Sequence, residues 1–254
     1  MKNSTALAFV NFYAAMGTLH AYCEHSTEAR TLAAQKDIAI RFKVSDGPDG
    51  VIAFSGGRIT VKPYAPGVRF DIGLSFKSCD QFNALVAGEN VTPMPFKGLT
   101  KLSFVLKKDS PFNVLVDKMG ALMRGTATDN TDPLLPLLLK FNAMAAAIVQ
   151  IGNNEPRGLV ARKNWPDGDA TLSIPGVLDL SINKSNGVLT LLDKPSDNPR
   201  AMLIFRDTDV AAGIIDGELD AMTCIGTGEI MMKGMGFILD NLNKCLNIVP
   251  AYLA

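Results

Sequence analysis

The chain has two histidines, His20 and His25, and both fall near its start. His20, Cys23 and Glu24 stand at i, i+3 and i+4, so a helix would put an imidazole, a thiol and a carboxylate on one face. These are metal-ligand types, but the set lacks the fourth member of a structural zinc site, and a solvated helix face accounts for the spacing more simply. No histidine follows His25, so a Ser-His-Asp or Cys-His relay would have to be built from that first helix. Gly226-Thr227-Gly228 opens like a dinucleotide loop, yet Met231 stands where the third glycine belongs. Asp216, Glu218 and Asp220 alternate and would align three carboxylates on a strand face, although a charged turn is the plainer account. These residues point away from covalent and acid–base catalysis. The expectation is a protein that is not an enzyme and uses no cofactor and no metal.

What remains is apolar surface. Of 254 residues, 47% are hydrophobic and 20% charged, which suits a chain that buries a large core. Basic and acidic residues balance at 25 each, so there is no electrostatic footprint for nucleic acid or an anionic membrane. Eleven methionines and 13 phenylalanines against one tryptophan would suit a deformable cavity as well as an ordinary core. Cys23, Cys79, Cys224 and Cys245 form no Cys-x-x-Cys pair and read as reduced thiols of a cytoplasmic protein. The first ten residues lack the positive start and long apolar core of a secretory signal, and Ser4 or Thr5 reads as a helix cap. Leu134 to Val149 is almost wholly apolar, but Pro136, Lys140 and Asn142 interrupt it. It falls short of the roughly 20 residues a membrane span needs, so a buried helix is expected and no integral membrane segment.

The elements that must position these residues come twice. Phe76, Asp80 and Gly88 recur as Phe205, Asp209 and Gly217 at one spacing of 129 residues, and Leu74-Ser75-Phe76 matches Leu203-Ile204-Phe205. Gly98-Leu99-Thr100-Lys101 aligns with Gly228-Glu229-Ile230-Met231 after a one-residue slip. The first half reads as a helix over 4–36, strands from Ile38, Val51, Ile59 and Arg69, a short helix capped by Asp80, a fifth strand over Leu99–Leu106 and a helix carrying Phe112, Leu115 and Met119. Phe70, Ile72 and Leu74 are expected on one face of the fourth strand. The second half repeats the order. A helix from about Leu134 to Ile151 precedes strands at Leu159–Arg162, Ala170–Ile174, Leu178–Ile182, Val188–Leu192 and Ala201–Phe205. A helix capped by Asp209, a strand from Met222 to Met232 and a closing helix from Met235 to Leu253 follow. Arg124 to Asp132 reads as the linker, giving domains 1–125 and 126–254 with two separately packed sheets. The fold class is therefore α+β: two similar domains, each an antiparallel-rich mixed sheet of about five strands covered by helices.

That order, with Ile214-Ile215-Asp216-Gly217-Glu218-Leu219-Asp220-Ala221 leading into Gly226-Thr227-Gly228-Glu229-Ile230-Met231-Met232-Lys233-Gly234, resembles the sterol carrier protein family, the type-2 sterol-transfer domain. The likeness runs from about Ala201 to Leu253 and, less closely, from about Ile38 to Met123, where Pro93-Met94-Pro95 is inserted and Val105-Leu106 replaces Lys233-Gly234. The resemblance implies a tunnel for a sterol, fatty acyl chain or acyl-CoA between sheet and closing helix. In the second half its lining would be Leu203, Phe205, Ile214, Ile215, Met222, Ile230, Met232, Phe237, Ile238 and Leu242. In the first half it would be Phe70, Ile72, Leu74, Phe82, Leu85, Phe96, Leu102, Phe104, Leu115 and Met119. A polar head would sit at a mouth near Lys101 or Lys233. The partner expected is thus a lipid or other apolar small molecule, bound and carried without catalysis. In the alternative, both cavities are filled and the chain is a structural or dimerisation module for a partner enzyme or a homo-oligomer, a role such domains have in certain acetyltransferases and alkylsulfatases.

Overall fold

Asn3, rather than Ser4 or Thr5, starts the first helix: its side chain accepts the amide of Ala6 at 2.9 Å. The computed structural model describes residues 2–128 and 132–253, so residues 129–131 of the expected linker lie outside the described residues. The chain divides into two compact units, Met1–Leu139 and Lys140–Ala254.

In the first unit α1 (Ser4–Phe9) runs through a π-helical stretch and a 3-10 turn into α2 (Leu19–His25), and α3 (Thr27–Ala33) follows. Next come β1 (Ile38–Val44), β2 (Asp49–Ser55), β3 (Arg58–Pro63), β4 (Ile72–Phe76), α4 (Cys79–Val86), β5 (Met94–Lys97), the short α5 (Ser103–Leu106) and α6 (Pro111–Met123). The helix α7 (Leu135–Asn154) begins in this unit and continues into the second. There it is followed by α8 (Pro156–Asn164), β6 (Gly168–Ile174), β7 (Leu178–Ser185), β8 (Val188–Leu191), β9 (Ala201–Phe205) and α9 (Thr208–Ile215). Then come α10 (Ala221–Gly226), β10 (Ile230–Gly234), α11 (Gly236–Leu246) and α12 (Pro250–Leu253).

Among the described residues each unit holds one five-stranded mixed sheet, in the orders β3-β2-β1-β4-β5 and β8-β7-β6-β9-β10. The class is α+β, as the sequence predicts. The registers correspond as well. Ile40 faces Ile52 across β1 and β2, and Ala170 faces Ile182 across β6 and β7. The one parallel pairing of each sheet joins Ile40 to Ile72 and Ala170 to Ala201. Gly56-Gly57 and Asn186-Gly187 close the matching hairpins, all four with positive φ, the geometry of a type I′ turn.

Several elements differ from the sequence reading, each for a local reason. Ser78 and Asp207, not Asp80 and Asp209, cap the short helices, accepting the amides of Gln81 and Val210. The fifth strand of the first unit is Met94–Lys97, which overlaps the Pro93–Pro95 segment read as an insertion, and Leu99–Leu106 is helical. Pro95 is tolerated because an edge strand bonds on one side only. Leu159–Arg162 lies inside α8, whose first turn is set by a Glu155 cap and Pro156. Met222–Met232 splits into α10, capped by Asp220, and β10. The closing helix breaks before Pro250, which disfavours helical backbone at Val249. Finally, the counterpart of Gly98 is Gly234, not Gly228. Both have positive φ, and a Cβ there would fall 2.1 Å from the carbonyl oxygen of Asp71 and 2.2 Å from that of Arg200.

The first core is aromatic. Phe42, Phe76 and Phe82 interlock, with Phe76–Phe82 centroids 5.2 Å apart, and Phe12, Phe54, Phe104 and Phe112 extend the cluster. Burying each ring contributes about 1.5–3 kcal/mol. In the second unit Phe141 meets Phe205 edge-on at 5.6 Å, and Leu172, Ile182 and Ile238 are also buried. Trp165, at the end of α8, is 1% exposed, and its Nε1 bonds no described group. The stretch Leu135–Asn154 has the length and mean hydropathy (1.5) of a spanning helix, but 78% of its most apolar window is buried in the protein.

Candidate functional site

Alternation along β9 and β10 sends every second side chain to one face of the sheet. Antiparallel pairing sets Leu203 against Met232 and Phe205 against Ile230, so these four form an apolar patch near the sheet edge. Over it pack Ile214 of α9, Ala221, Met222 and Ile225 of α10, and Gly236, Leu239, Leu242 and Leu246 of α11. They leave a cavity of about 270 Å³ whose polar lining among the described residues is Asp240 and Asn243, both on α11.

Seven sequence candidates meet at this cavity: Leu203, Phe205, Ile214, Met222, Ile230, Met232 and Leu242. Ile215 lies at the half-buried end of α9 outside the lining, and Ile238 is packed in the core. Phe237 is 73% exposed, because five residues along a helix turn it roughly 140° away from Leu242. Sequence reasoning missed Ala221, Ile225, Gly236, Leu239, Asp240, Asn243 and Leu246. Leu239 and Leu246 stand at i−3 and i+4 from Leu242, a legible signal. Ile225 was hidden because α10 was read as strand.

The first-unit candidates stand outside this cavity, in the core of their own unit or on its sheet. Leu74, Phe82, Phe104, Leu115, Met119 and Ile72 are buried in the aromatic core, with Leu85 and Leu102 packed against it. Phe70 precedes β4, so strand parity does not reach it. With Tyr64 and Phe96 it surrounds the Arg41 guanidinium, 3.4 Å above the Tyr64 ring, and Arg41 forks onto Asp49 at 2.8 and 2.6 Å. Phe96 covers Gly73, where any Cβ would sit 2.5 Å from its ring. Both therefore belong to the outer face of the sheet.

The expected head-group lysines are placed elsewhere. Lys101 is paired to Asp71 at 2.6 Å, which helps hold the Asp71 carboxyl below its ordinary range. Lys233 alternates with Met232 and so leaves the sheet on the face opposite the cavity. Asp240 pairs with Lys244 one turn on at 2.6 Å, both more than half exposed.

The other titratable clusters are dispersed. His20 meets the Ile59 carbonyl at 2.9 Å and Glu24 at 3.3 Å, whereas Cys23 turns into the core toward Ala29. Burial pushes the Cys23 thiol up to about 11 and Cys245 up to about 12. Burial also raises Cys224, with Glu229 beside it adding to the effect, so these thiols are poor nucleophiles. Asp216 is paired with Lys140 and Asp220 caps α10, which makes Asp216–Asp220 a charged turn. Two further hollows, of about 310 and 350 Å³, mix polar and apolar side chains: Glu28, Lys118 and Leu122 in the first unit, Arg157, Asn164, Lys244, Val160 and Ile248 in the second.

No family model and no curated protein matches the chain. Among solved structures it is similar to a "UbiJ-SCP2 Ubiquinone synthesis protein" at 15% identity, over 41% of this chain and 93% of that one, with TM-score 0.32. It is similar to the sterol carrier protein domain 2 of Helicoverpa armigera at 14% identity, over 50% of this chain and 96% of that one, TM-score 0.33. It is also similar to the inverting sec-alkylsulfatase Pisa1 from Pseudomonas sp. at 13% identity, over 57% of this chain and 28% of that one, TM-score 0.25.

Proposed function

We propose that the chain is a non-enzymatic lipid binder, related to the sterol carrier proteins by an internal duplication, and that its second unit holds the ligand. The observation that carries this reading is the apolar cavity under α9, α10 and α11, at the place where the sequence resemblance implies a tunnel. The shared strand order and registers support the duplication. Four unpaired, buried cysteines support a reducing, cytoplasmic compartment.

Size sets the ligand class. A methylene takes about the room of a water molecule, roughly 30 Å³, so a cavity of about 270 Å³ holds a chain of about nine carbons. At about 0.8 kcal/mol per methylene that burial is worth about 7 kcal/mol, a dissociation constant on the order of 10 μM before the chain's lost freedom is charged against it. Such a site suits pick-up and release better than storage.

Native mass spectrometry of the purified chain, with a chain-length series displacing a neutral solvatochromic dye, tests the reading. Affinity is expected to peak near nine carbons, and Met222→Glu to weaken it at least tenfold while melting stays unchanged, since Met222 is 67% exposed. No binding at any chain length sinks the proposal. The filled aromatic core favours a second reading for the first unit alone, as a structural module for a partner enzyme or a second copy.

A further inference from the structure

The cavity is apolar except on one side. Asp240 and Asn243 are adjacent on α11, so the polar end of any bound amphiphile meets a carboxylate and an amide there. The neighbouring cation is Lys244, which reaches back to Asp240 at 2.6 Å and neutralises it only as an exposed i,i+4 pair, a weak and exchangeable contact. Lys233 cannot compensate, because it projects from the opposite face of β10.

We propose that this rim selects by head group, on the strength of the lipid-binding reading above: the site takes single-chain amphiphiles of about nine carbons whose head donates hydrogen bonds without negative charge, a hydroxyl or an ammonium. A hydroxyl can donate to the Asp240 carboxylate while accepting from the Asn243 amide. An ammonium takes the place of Lys244 on Asp240. A carboxylate or phosphate head faces Asp240 across a mouth with no free cation on its lining and must either repel it or draw Lys244 away.

The test uses the full chain at pH 7 and low salt, with displacement of a neutral solvatochromic dye by a ten-carbon alcohol, amine and carboxylate. Alcohol and amine are expected to bind at least tenfold more tightly than the carboxylate. Asp240→Asn is expected to bring the amine down and the carboxylate up, each by about tenfold, with the alcohol little changed. Lys244→Met, which frees the Asp240 carboxylate, moves amine and carboxylate in the opposite senses. Both sites are more than half exposed, and an unchanged melting temperature checks that the fold is intact. Equal or tighter carboxylate binding, or a ranking that neither variant alters, overturns the inference while leaving lipid binding standing. Failure of the dye and all three amphiphiles to bind overturns both.

Discussion

Phe82 and Ala211 occupy equivalent places, 129 residues apart on α4 and α9, and both are fully buried. A benzyl group in one unit and a methyl in the other is part of why the first interior is filled. Phe82→Ala is therefore expected to cost about 3–5 kcal/mol in urea denaturation; a loss below 1 kcal/mol would show that the ring is not a core contact. Gly98 and Gly234 mark a second residue-scale rule, since each combines positive φ with a carbonyl 2.1–2.2 Å from where a Cβ would stand. Gly234→Ala should cost more than the roughly 1–2 kcal/mol of left-handed backbone alone, whereas Gly88→Ala, with open space, should cost no more than that. The sequence alignment of Gly98 with Gly228 missed this because the constraint comes from the carbonyl of the residue just before β4 or β9, distant in sequence, which no local spacing reveals. The thiols add a pH dependence. Cys245 and Cys23 are raised from an ordinary 9.0 to about 12 and about 11, so their stabilisation is whole below pH 9 and is lost as pH climbs through those values. Thermal melting should fall across that alkaline window, and less steeply in Cys23→Ala and Cys245→Ala variants that still fold.

At the scale of elements, strand parity was legible where strands are regular. Leu203, Phe205, Ile230 and Met232 were expected together as tunnel lining from the family resemblance, and strand alternation with the β9–β10 register brings them to one face. Parity failed where a strand begins late, as at Phe70, or where a helix of six residues hides in a strand-like apolar run, as in α10. Short helices are fixed by their caps, and the Asp220 cap was read as part of a charged turn. The register is testable. Met232→Glu is expected to weaken dye binding at least tenfold and Met231→Glu to leave it within twofold, because successive side chains leave opposite faces. Equal effects would mean the strand is not seated as described. The closing helix contributes Leu239, Leu242 and Leu246 to the cavity and Ile238 and Cys245 to the core. Removing residues 236–254 should abolish binding and lower the melting temperature of the second unit; an unaltered transition would show α11 to be dispensable.

For the whole molecule, the common spacing was legible because Phe76, Asp80 and Gly88 are followed 129 residues on by Phe205, Asp209 and Gly217, and β4 and α4 correspond in position to β9 and α9 residue for residue. What the repeat could not reveal is that the two interiors differ, since ring and methyl both count as apolar in a pattern. Ligand should accordingly act on one unit. A ten-carbon alcohol at a hundred times its dissociation constant stabilises its host by about 2.7 kcal/mol. Calorimetry is expected to show that gain in one of two transitions, and an equal shift of both would contradict a single site.

The solitary indole turns this asymmetry into an optical signal. Trp165 is the chain's one tryptophan, lies in the second unit, and is sealed from solvent with its Nε1 bonded to no described group. Its emission should be blue-shifted in the native protein and should move red only when the second unit opens. Far-ultraviolet dichroism sums over both units. Wherever the two curves separate, the gap between them reads out, without any label, which half of the molecule has come apart first.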